Sequence, residues 1–207
     1  MPHVVLLGDS IFDNAAYVRG GPDVVTQLAA LLPAGWRATL VAVDGHVIAD
    51  VARQLARVPS DATHLVVSVG GNDALEHVGL LERPAKSSAQ VLGWLADAAE
   101  EFEARYRRML ARVLALGLPT TLCTIYNGNL GAPLQRLATT ALAVFNDVIL
   151  RAAAAHRLPV IELRQLCTEP ADYANPIEPS ARGGEKIARA IAVAVAGDAS
   201  AGERPAG

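Results

Sequence analysis

The sequence has little cysteine: Cys123 and Cys167 are the two thiols among its 207 residues. Cys123 falls within an apolar segment and Cys167 follows another, so we expect two buried thiols rather than a disulfide. No Cys-x-x-Cys pair is present, and no His, Cys and carboxylate residues have the spacing of zinc ligands. The sequence therefore predicts chemistry without a bound metal.

An excess of basic residues is also missing. The chain carries 18 Lys and Arg residues against 21 Asp and Glu residues, a formal net charge of −3. No basic block is present that could neutralise a phosphate backbone, so nucleic acid is excluded as an expected partner. The first predicted strand is followed by neither of the glycine-rich nucleotide-binding patterns, GxGxxG or GxxxxGKS/T. We expect no cofactor.

Long apolar runs are the third absence. Hydrophobic residues make up 52% of the chain, but polar or charged residues interrupt every run before it reaches the about 18 residues that a membrane helix requires. Residues 1–10 do not contain a basic segment, an apolar segment and a cleavage site in that order. We therefore expect no membrane partner, no export signal and a cytoplasmic location.

What the chain does contain is an alternation of short apolar runs and amphipathic segments. The apolar runs are rich in Val, Leu, Ile or Thr and end at Gly, Pro or Asp, which is typical of strands. The predicted strands are 3–7, 38–43, 64–69, 120–125 and 159–163, and the predicted helices are 22–32, 47–58, 88–116, 134–156 and 180–196. This order predicts an α/β fold, a three-layer α/β/α sandwich with a five-stranded parallel sheet. Residues 1–196 form one predicted domain, and the polar, non-periodic residues 197–207 are predicted to be a disordered tail.

Three glycine-containing loops follow the first three predicted strands. Ser10 lies in GDSIFDN, Gly45 in VDGHVIADV and Asn72 in GGND. Because the carboxyl ends of parallel strands meet at one edge of the sheet, these loops are expected to converge. An acyl-transfer site needs a nucleophilic oxygen beside hydrogen-bond donors for a developing oxyanion. Ser10 is the candidate nucleophile, and the Gly45 N–H and the Asn72 amide are the candidate donors.

These blocks, in this order and at strand ends, resemble the SGNH (GDSL) hydrolase family over residues 3–196. The family contains esterases and lipases built on a flavodoxin-like three-layer sandwich. The resemblance implies that Ser10 attacks a small-molecule ester or related acyl substrate and that Gly45 and Asn72 stabilise the oxyanion.

The fourth landmark of the family departs from its pattern. Where the family has an Asp-x-x-His motif before the last helix, this chain has Asn175, Pro176, Ile177 and Glu178. Imidazole has a pKa of about 6.5 and suits proton transfer near neutral pH, whereas an ordinary Glu, with a pKa of about 4.3, is a poor base for an alcohol.

Three interpretations of this departure are open. Glu178, desolvated beneath the substrate, has a raised pKa and acts as the base, with Asn175 orienting it. Alternatively, His46 or His77 replaces the missing histidine. In the third interpretation, the scaffold hydrolyses esters weakly or not at all and binds an acyl or carbohydrate ligand, or a partner protein, in the same cleft.

Several polar residues near these loops are expected to have local structural roles. Asp9 and Asp73 are predicted to brace their own turns, and Asp13 and Asn14 to cap a short helix that follows them. Tyr126 lines the acyl pocket or shapes its loop. Asp172 is predicted to be an exposed loop carboxylate.

Overall fold

The computed structural model describes the backbone of residues 1–202 and the side chains of residues 1–197. Its centre is a parallel sheet of five strands in the order β2-β1-β3-β4-β5. The strands are β1 His3–Gly8, β2 Arg37–Leu40, β3 His64–Ser68, β4 Thr120–Cys123 and β5 Val160–Ile161. The α/β prediction is confirmed, and the strand order is that of the flavodoxin-like doubly wound folds.

Seven α-helices connect or follow the strands in the described part of the chain. They are α1 Val24–Leu31, α2 Val51–Leu55, α3 Gly71–Leu75, α4 Ser88–Leu114, α5 Leu134–His156, α6 Leu163–Leu166 and α7 Ala181–Gly202. Short 3-10 turns lie at Ile48–Asp50, Val78–Leu81 and Pro170–Asp172. The short helices α3 and α6 were not predicted, because single turns of helix leave no periodic pattern in a sequence.

The apolar strand residues alternate between two cores, one on each face of the sheet. Val5 and Leu7 of β1 face the core beneath α2, α4 and α5. Val4 and Leu6 face the core beneath α1 and α7. Both cysteines are buried and free, as expected. The sheet is thus covered by helices on both sides, and its carboxyl edge is left for the loops.

Strand β2 is shorter than predicted. It ends at Leu40, where the N–H groups of Val41 and Ala42 both donate to the Leu6 carbonyl, each at 2.9 Å. Two residues opposite one partner interrupt the regular ladder, as in a β-bulge. The chain then leaves β1 towards Gly45.

The last helix is longer than predicted. α7 continues beyond Ala196 to Gly202, so the backbone of residues 197–202 is helical rather than a disordered tail. Alanine, which this segment has at positions 199 and 201, has the highest helix propensity and needs no apolar stripe. Residues 203–207 of the predicted tail lie outside the described residues.

One helix of the described chain, α5, is long and apolar enough to cross a membrane by length and composition. A single such helix is a weak indication, because the core helix of a soluble protein passes the same test. Here Phe145, Val148 and Ile149 of α5 pack into the core beside α4.

Candidate active site

Ser10 is presented by a tight turn at the end of β1. Gly8 has φ +135°, and a Cβ at this position would lie 1.7 Å from the Ser68 carbonyl oxygen, so only glycine fits. The Asp9 N–H donates to that same carbonyl at 3.1 Å, and the Asp9 carboxylate accepts from the Ile11 N–H at 3.2 Å. Asp9 therefore braces the turn, as predicted. The Ser10 N–H has no acceptor among the described residues and is a free donor.

The second loop places Gly45 at a turn with φ +77°, where a Cβ would be strained. The Asp44 N–H donates to the Asp13 carboxylate at 2.9 Å, and the Tyr17 hydroxyl donates to the Asp44 carboxylate at 2.7 Å. These bonds fasten the second loop to the first. Within residues 1–202 the Gly45 N–H also lacks an acceptor.

The third loop holds Asn72 in the short helix α3. Asn72 Nδ2 donates one hydrogen to the His46 carbonyl at 2.9 Å, and its other hydrogen makes no bond within the described part of the chain. The Asp73 carboxylate accepts from the Ile48 N–H at 2.9 Å, so it braces the neighbouring loop, a contact that was not predicted. The second and third loops are thus joined at two points.

Glu178 lies in a turn before α7, residues 173–180, that several hydrogen bonds hold together. We call this segment the stapled turn. The Ala174 N–H donates to the Glu178 carbonyl at 2.9 Å. The Asn175 side chain accepts from the N–H groups of Ile177 and Glu178 at 2.9 and 3.0 Å. Tyr126 donates its hydroxyl to the Ile177 carbonyl from β4's loop. Asn175 therefore fixes the backbone of Glu178 and makes no contact with its carboxylate, which differs from the orienting role considered above.

The Glu178 carboxylate is buried beside Ser10, with 6% of the residue exposed. Burial raises its pKa from 4.5 to about 7, while a side-chain hydrogen bond from Ser10 lowers the pKa and the negative charge of Asp44 raises it. Its Oε2 atom has no hydrogen-bond partner among the described residues. The site thus contains a carboxylate of high proton affinity in contact with a serine hydroxyl.

Asp9 is a second carboxyl group with a raised pKa in this site. Burial raises its pKa to about 7, the Ile11 N–H opposes that shift, and the charges of Glu178, Asp73 and Asp44 add to it. Like charges so close to one another favour proton retention near neutral pH.

Glu178 makes stability depend on pH in a defined direction. Since its pKa is raised on folding, the folded state binds more protons than the unfolded chain between pH 4.5 and about 7. This group therefore lowers the free energy of unfolding as the pH rises through that window. We expect the difference in melting temperature, Glu178→Gln minus wild type, to increase as the pH rises from 4 to 8. Glu169→Gln, at an exposed carboxylate, is the control, and an equal change in both variants would contradict the expectation.

Neither candidate histidine contacts Ser10. The His46 ring pairs its Nδ1 with Gln54 Nε2 at 2.8 Å and does not line the cleft. His77 lines the cleft, but its ring stacks on Phe145 with centroids 5.8 Å apart. Of the candidate bases, the structure brings Glu178 to Ser10.

An apolar cleft of about 180 Å³ leads away from Ser10 between α3, α4 and α5. Ser10, Asn72 and Glu178 lie at its polar end, whereas Gly45 is not part of its lining. The apolar lining includes Leu75, Val78, Leu80, Leu95, Ile125, Tyr126, Leu134, Ala141, Leu142 and Phe145. An aliphatic chain bound in this cleft would extend away from Ser10, Asn72 and Glu178.

Two polar side chains outside the predicted site, those of Asn14 and Gln54, hold these loops, and a role for Gln54 was not predicted. Asn14 accepts from the Val24 N–H at 3.0 Å and donates to the Pro179 carbonyl at 3.3 Å, so it ties the start of α1 to the segment beside Glu178. The N-cap of α1 is Asp23, so the predicted capping role of Asn14 is wrong. Gln54 of α2 is buried against the first and second loops. Its signal was available: a glutamine within the apolar stripe of a predicted helix must find buried partners.

The prediction of an exposed Asp172 is wrong. Asp172 is fully buried, and its Oδ2 accepts from the N–H groups of Thr168 and Glu169 at 3.0 Å and from Lys186 Nζ at 2.7 Å. These donors hold the pKa of Asp172 below its ordinary value against the effect of burial. The residue ties the preceding loop to α7.

The chain has a doubly wound α/β fold with its candidate site at the carboxyl edge of the sheet, and comparison with known proteins identifies its family. The sequence model of the GDSL-like Lipase/Acylhydrolase family matches residues 6–186. The chain belongs to this family. No curated protein matches the sequence.

Solved structures with the same fold include several lipases. The extracellular lipase of Streptomyces rimosus has a TM-score of 0.70 at 18% identity, with 94% of this chain and 100% of that chain covered. A lipase from a goat rumen metagenome has a TM-score of 0.73 at 18% identity, with coverage of 94% and 97%. The lipase/acylhydrolase of Enterococcus faecalis has a TM-score of 0.66 at 20% identity, with coverage of 96% and 97%. The family and the fold together support acylhydrolase activity of the lipase or esterase type.

Proposed function

We propose that this protein is a serine esterase in which Ser10 is the nucleophile and Glu178 is the general base. The observation that carries the proposal is the burial of the Glu178 carboxylate against the Ser10 hydroxyl, to which it is hydrogen-bonded. This burial raises the pKa of Glu178 to about 7. A pKa near the working pH is the condition for efficient proton transfer. Burial thus gives this glutamate a proton affinity similar to that of a histidine in water.

The proposed reaction begins when the Glu178 carboxylate takes the Ser10 proton and Oγ attacks the ester carbonyl carbon. The resulting oxyanion accepts hydrogen bonds from the Ser10 N–H, the Gly45 N–H and Asn72 Nδ2. As the carbon–oxygen bond to the leaving group breaks, protonated Glu178 gives its proton to the departing alkoxide. The acyl-enzyme and an alcohol remain.

Deacylation repeats these steps with water. Glu178 removes a proton from water, the hydroxide oxygen attacks the acyl carbon, and the proton returns to Ser10 Oγ as the carboxylic acid leaves. The scheme uses no cofactor or metal. Among the described residues no group of three or more His, Cys, Asp or Glu side chains could hold a metal ion. That the protein uses no metal, no cofactor and no nucleic-acid partner stays a prediction.

The proposed substrate is a small ester whose acyl chain lies in the apolar cleft. The support is the cleft itself, which starts at Ser10 and is lined mainly by aliphatic and aromatic side chains. The two free buried thiols support a reducing compartment, and we retain the cytoplasm as the proposed location.

A fluorophosphonate probe tests the proposal, because such probes label serines that an adjacent group activates. We expect labelling of wild type, mapped by peptide mass to Ser10, and turnover of a short-chain nitrophenyl ester. Ser10→Ala is expected to lose both. Labelling elsewhere, or equal turnover by wild type and Ser10→Ala, would overturn the proposal. A folded protein that binds esters but neither reacts with the probe nor turns over would instead support the binding-protein alternative.

Chain-length preference should depend on the α5 wall of the cleft. Ala141 is a small lining residue, so Ala141→Phe is expected to fill space that a long acyl chain occupies. We expect kcat/KM for a nitrophenyl octanoate to fall about 10-fold or more relative to the acetate, since each methylene in an apolar pocket contributes a factor of roughly 10 or more. Ala143→Phe, on the exposed side of the same helix, is the matched control. An equal loss for both esters would place the acyl chain elsewhere.

A further inference from the structure

One buried side chain, that of Gln54 on α2, is hydrogen-bonded to the first and second of the three loops that carry the candidate site. Its Oε1 accepts from the Gly8 N–H at 2.8 Å, and its Nε2 donates to the Gly8 carbonyl at 2.7 Å. The second hydrogen of Nε2 is directed to His46 Nδ1 at 2.8 Å. The residue is 1% exposed. All polar atoms of the Gln54 amide are therefore engaged.

The two partners of Gln54 flank the catalytic groups proposed above. Gly8 comes immediately before the Asp9–Ser10 turn. His46 follows Gly45, and its carbonyl accepts from Asn72 Nδ2 at 2.9 Å. The Gln54 amide thus ties the nucleophile turn directly to the second loop, and the His46 carbonyl extends this link to Asn72 in the third loop.

Apolar packing alone does not account for a glutamine at this position. Gln54 lies among residues of the sheet-facing side of α2, where Val51 is fully buried. A buried amide costs free energy unless every donor and acceptor finds a partner, so an aliphatic residue would fill the same volume at lower cost. The bonds that Gln54 makes run to the loops and not to its own helix.

We propose that Gln54 is a positioning residue that sets the placement of Ser10 relative to its oxyanion donors. Catalysis depends on this placement, because displacing a reacting group by about 1 Å can lower the rate by about 100-fold. The inference rests on the proposed esterase function, since it assigns a role within the same site.

The test compares Gln54→Met with wild type, since methionine keeps the length of the side chain and removes all three hydrogen bonds. We expect kcat for a nitrophenyl ester to fall about 10- to 100-fold while KM changes less than about 3-fold. Affinity for an alkyl boronic acid, which forms a tetrahedral adduct with the serine, should fall by a similar factor. A role in stability alone would move neither kcat nor boronate affinity in the folded variant.

Two further variants keep the proposal testable. Gln27→Met is the matched control, because Gln27 is a buried glutamine whose amide donates to the Pro22 and Ala181 carbonyls at 2.8 and 2.9 Å, away from the three loops. We expect it to lower the melting temperature and leave kcat unchanged. If Gln54→Met fails to fold, His46→Ala is the second variant. It removes the hydrogen bond between Gln54 and the half-buried His46 ring and should lower kcat about 10-fold.

The outcomes separate this inference from the proposed function. Wild-type turnover together with unchanged kcat and boronate affinity in folded Gln54→Met, or in His46→Ala, overturns the positioning role and leaves the esterase proposal intact. Absence of wild-type turnover and of probe labelling overturns the esterase proposal, and the positioning role with it. Rate loss in Gln54→Met with no loss in Gln27→Met supports both.

Discussion

Glu178→Gln is expected to lower kcat/KM for a nitrophenyl ester by about 10²- to 10⁴-fold, the usual contribution of a general base. The amide has nearly the same shape as the carboxylate, so the stapled turn around Asn175 should survive, but it cannot accept the Ser10 proton. The measurement is a steady-state rate over pH 5 to 9. Glu169→Gln, which alters an exposed carboxylate paired with Arg182, should retain wild-type rates.

The pH profile gives the same prediction a second readout. Glu178 must be ionised to act as a base, so wild-type kcat/KM should rise as the pH increases and level off above about 7. The residual activity of Glu178→Gln should lack this rise. Loss of activity with the acid limb retained would assign the base to another group, and an unchanged rate would exclude Glu178.

The convergence of the loops followed from the sequence because it depends on topology. Parallel strands with alternating apolar runs place the ends of β1, β2 and β3 at one edge, and Ser10, Gly45 and Asn72 lie in the loops at those ends. Local glycines reinforced the prediction at Gly8 and Gly45, where the chain takes positive φ values. The order of strands and loops along the chain was therefore enough to predict that these three residues lie in adjacent loops.

The contacts of Glu178, Asn175 and Asp172 could not be predicted in this way, because they depend on how distant segments pack and no local sequence pattern encodes that packing. That Glu178 lies against Ser10 follows from how the turn at 173–180 packs on Tyr126 and Asn14, residues far away in sequence. The role of Asn175 differed for the same reason: its Oδ1 accepts from the backbone N–H groups two and three residues ahead, and this local turn holds the side chain against the backbone instead of against the Glu178 carboxylate. Asp172 was assigned to the surface from the general preference of aspartate, whereas three donors compensate its burial here.

In the proposed mechanism, the glutamate at the family's histidine position changes the physical origin of the basicity and keeps its pKa near neutral pH. Imidazole has a suitable pKa in water, so a histidine base needs orientation but little desolvation. A glutamate reaches the same range only when buried, and burial requires a rigid surrounding that keeps water away from the carboxylate. The stapled turn before α7 provides that rigidity, which explains why its polar groups bind backbone rather than the Glu178 side chain.

The oxyanion donors give the second large expected effect. Asn72→Ala removes one of the three proposed donors and should lower kcat by about 10²- to 10³-fold with little change in KM, because the bond to the oxyanion forms only in the transition state. Asn129→Ala is the matched control, since it deletes the same amide from an exposed loop position outside the cleft lining.

Asn72 also holds the His46 carbonyl, so its loss has a structural component that needs separation. His46→Ala keeps that carbonyl and the Asn72 bond while it removes the ring, and its smaller expected loss of about 10-fold sets the scale of loop displacement alone. A kcat for Asn72→Ala within 10-fold of wild type would show that the Ser10 and Gly45 N–H groups stabilise the oxyanion without the amide. A loss beyond that of His46→Ala, matched by weaker boronate binding, is the result expected if Asn72 donates to the tetrahedral adduct.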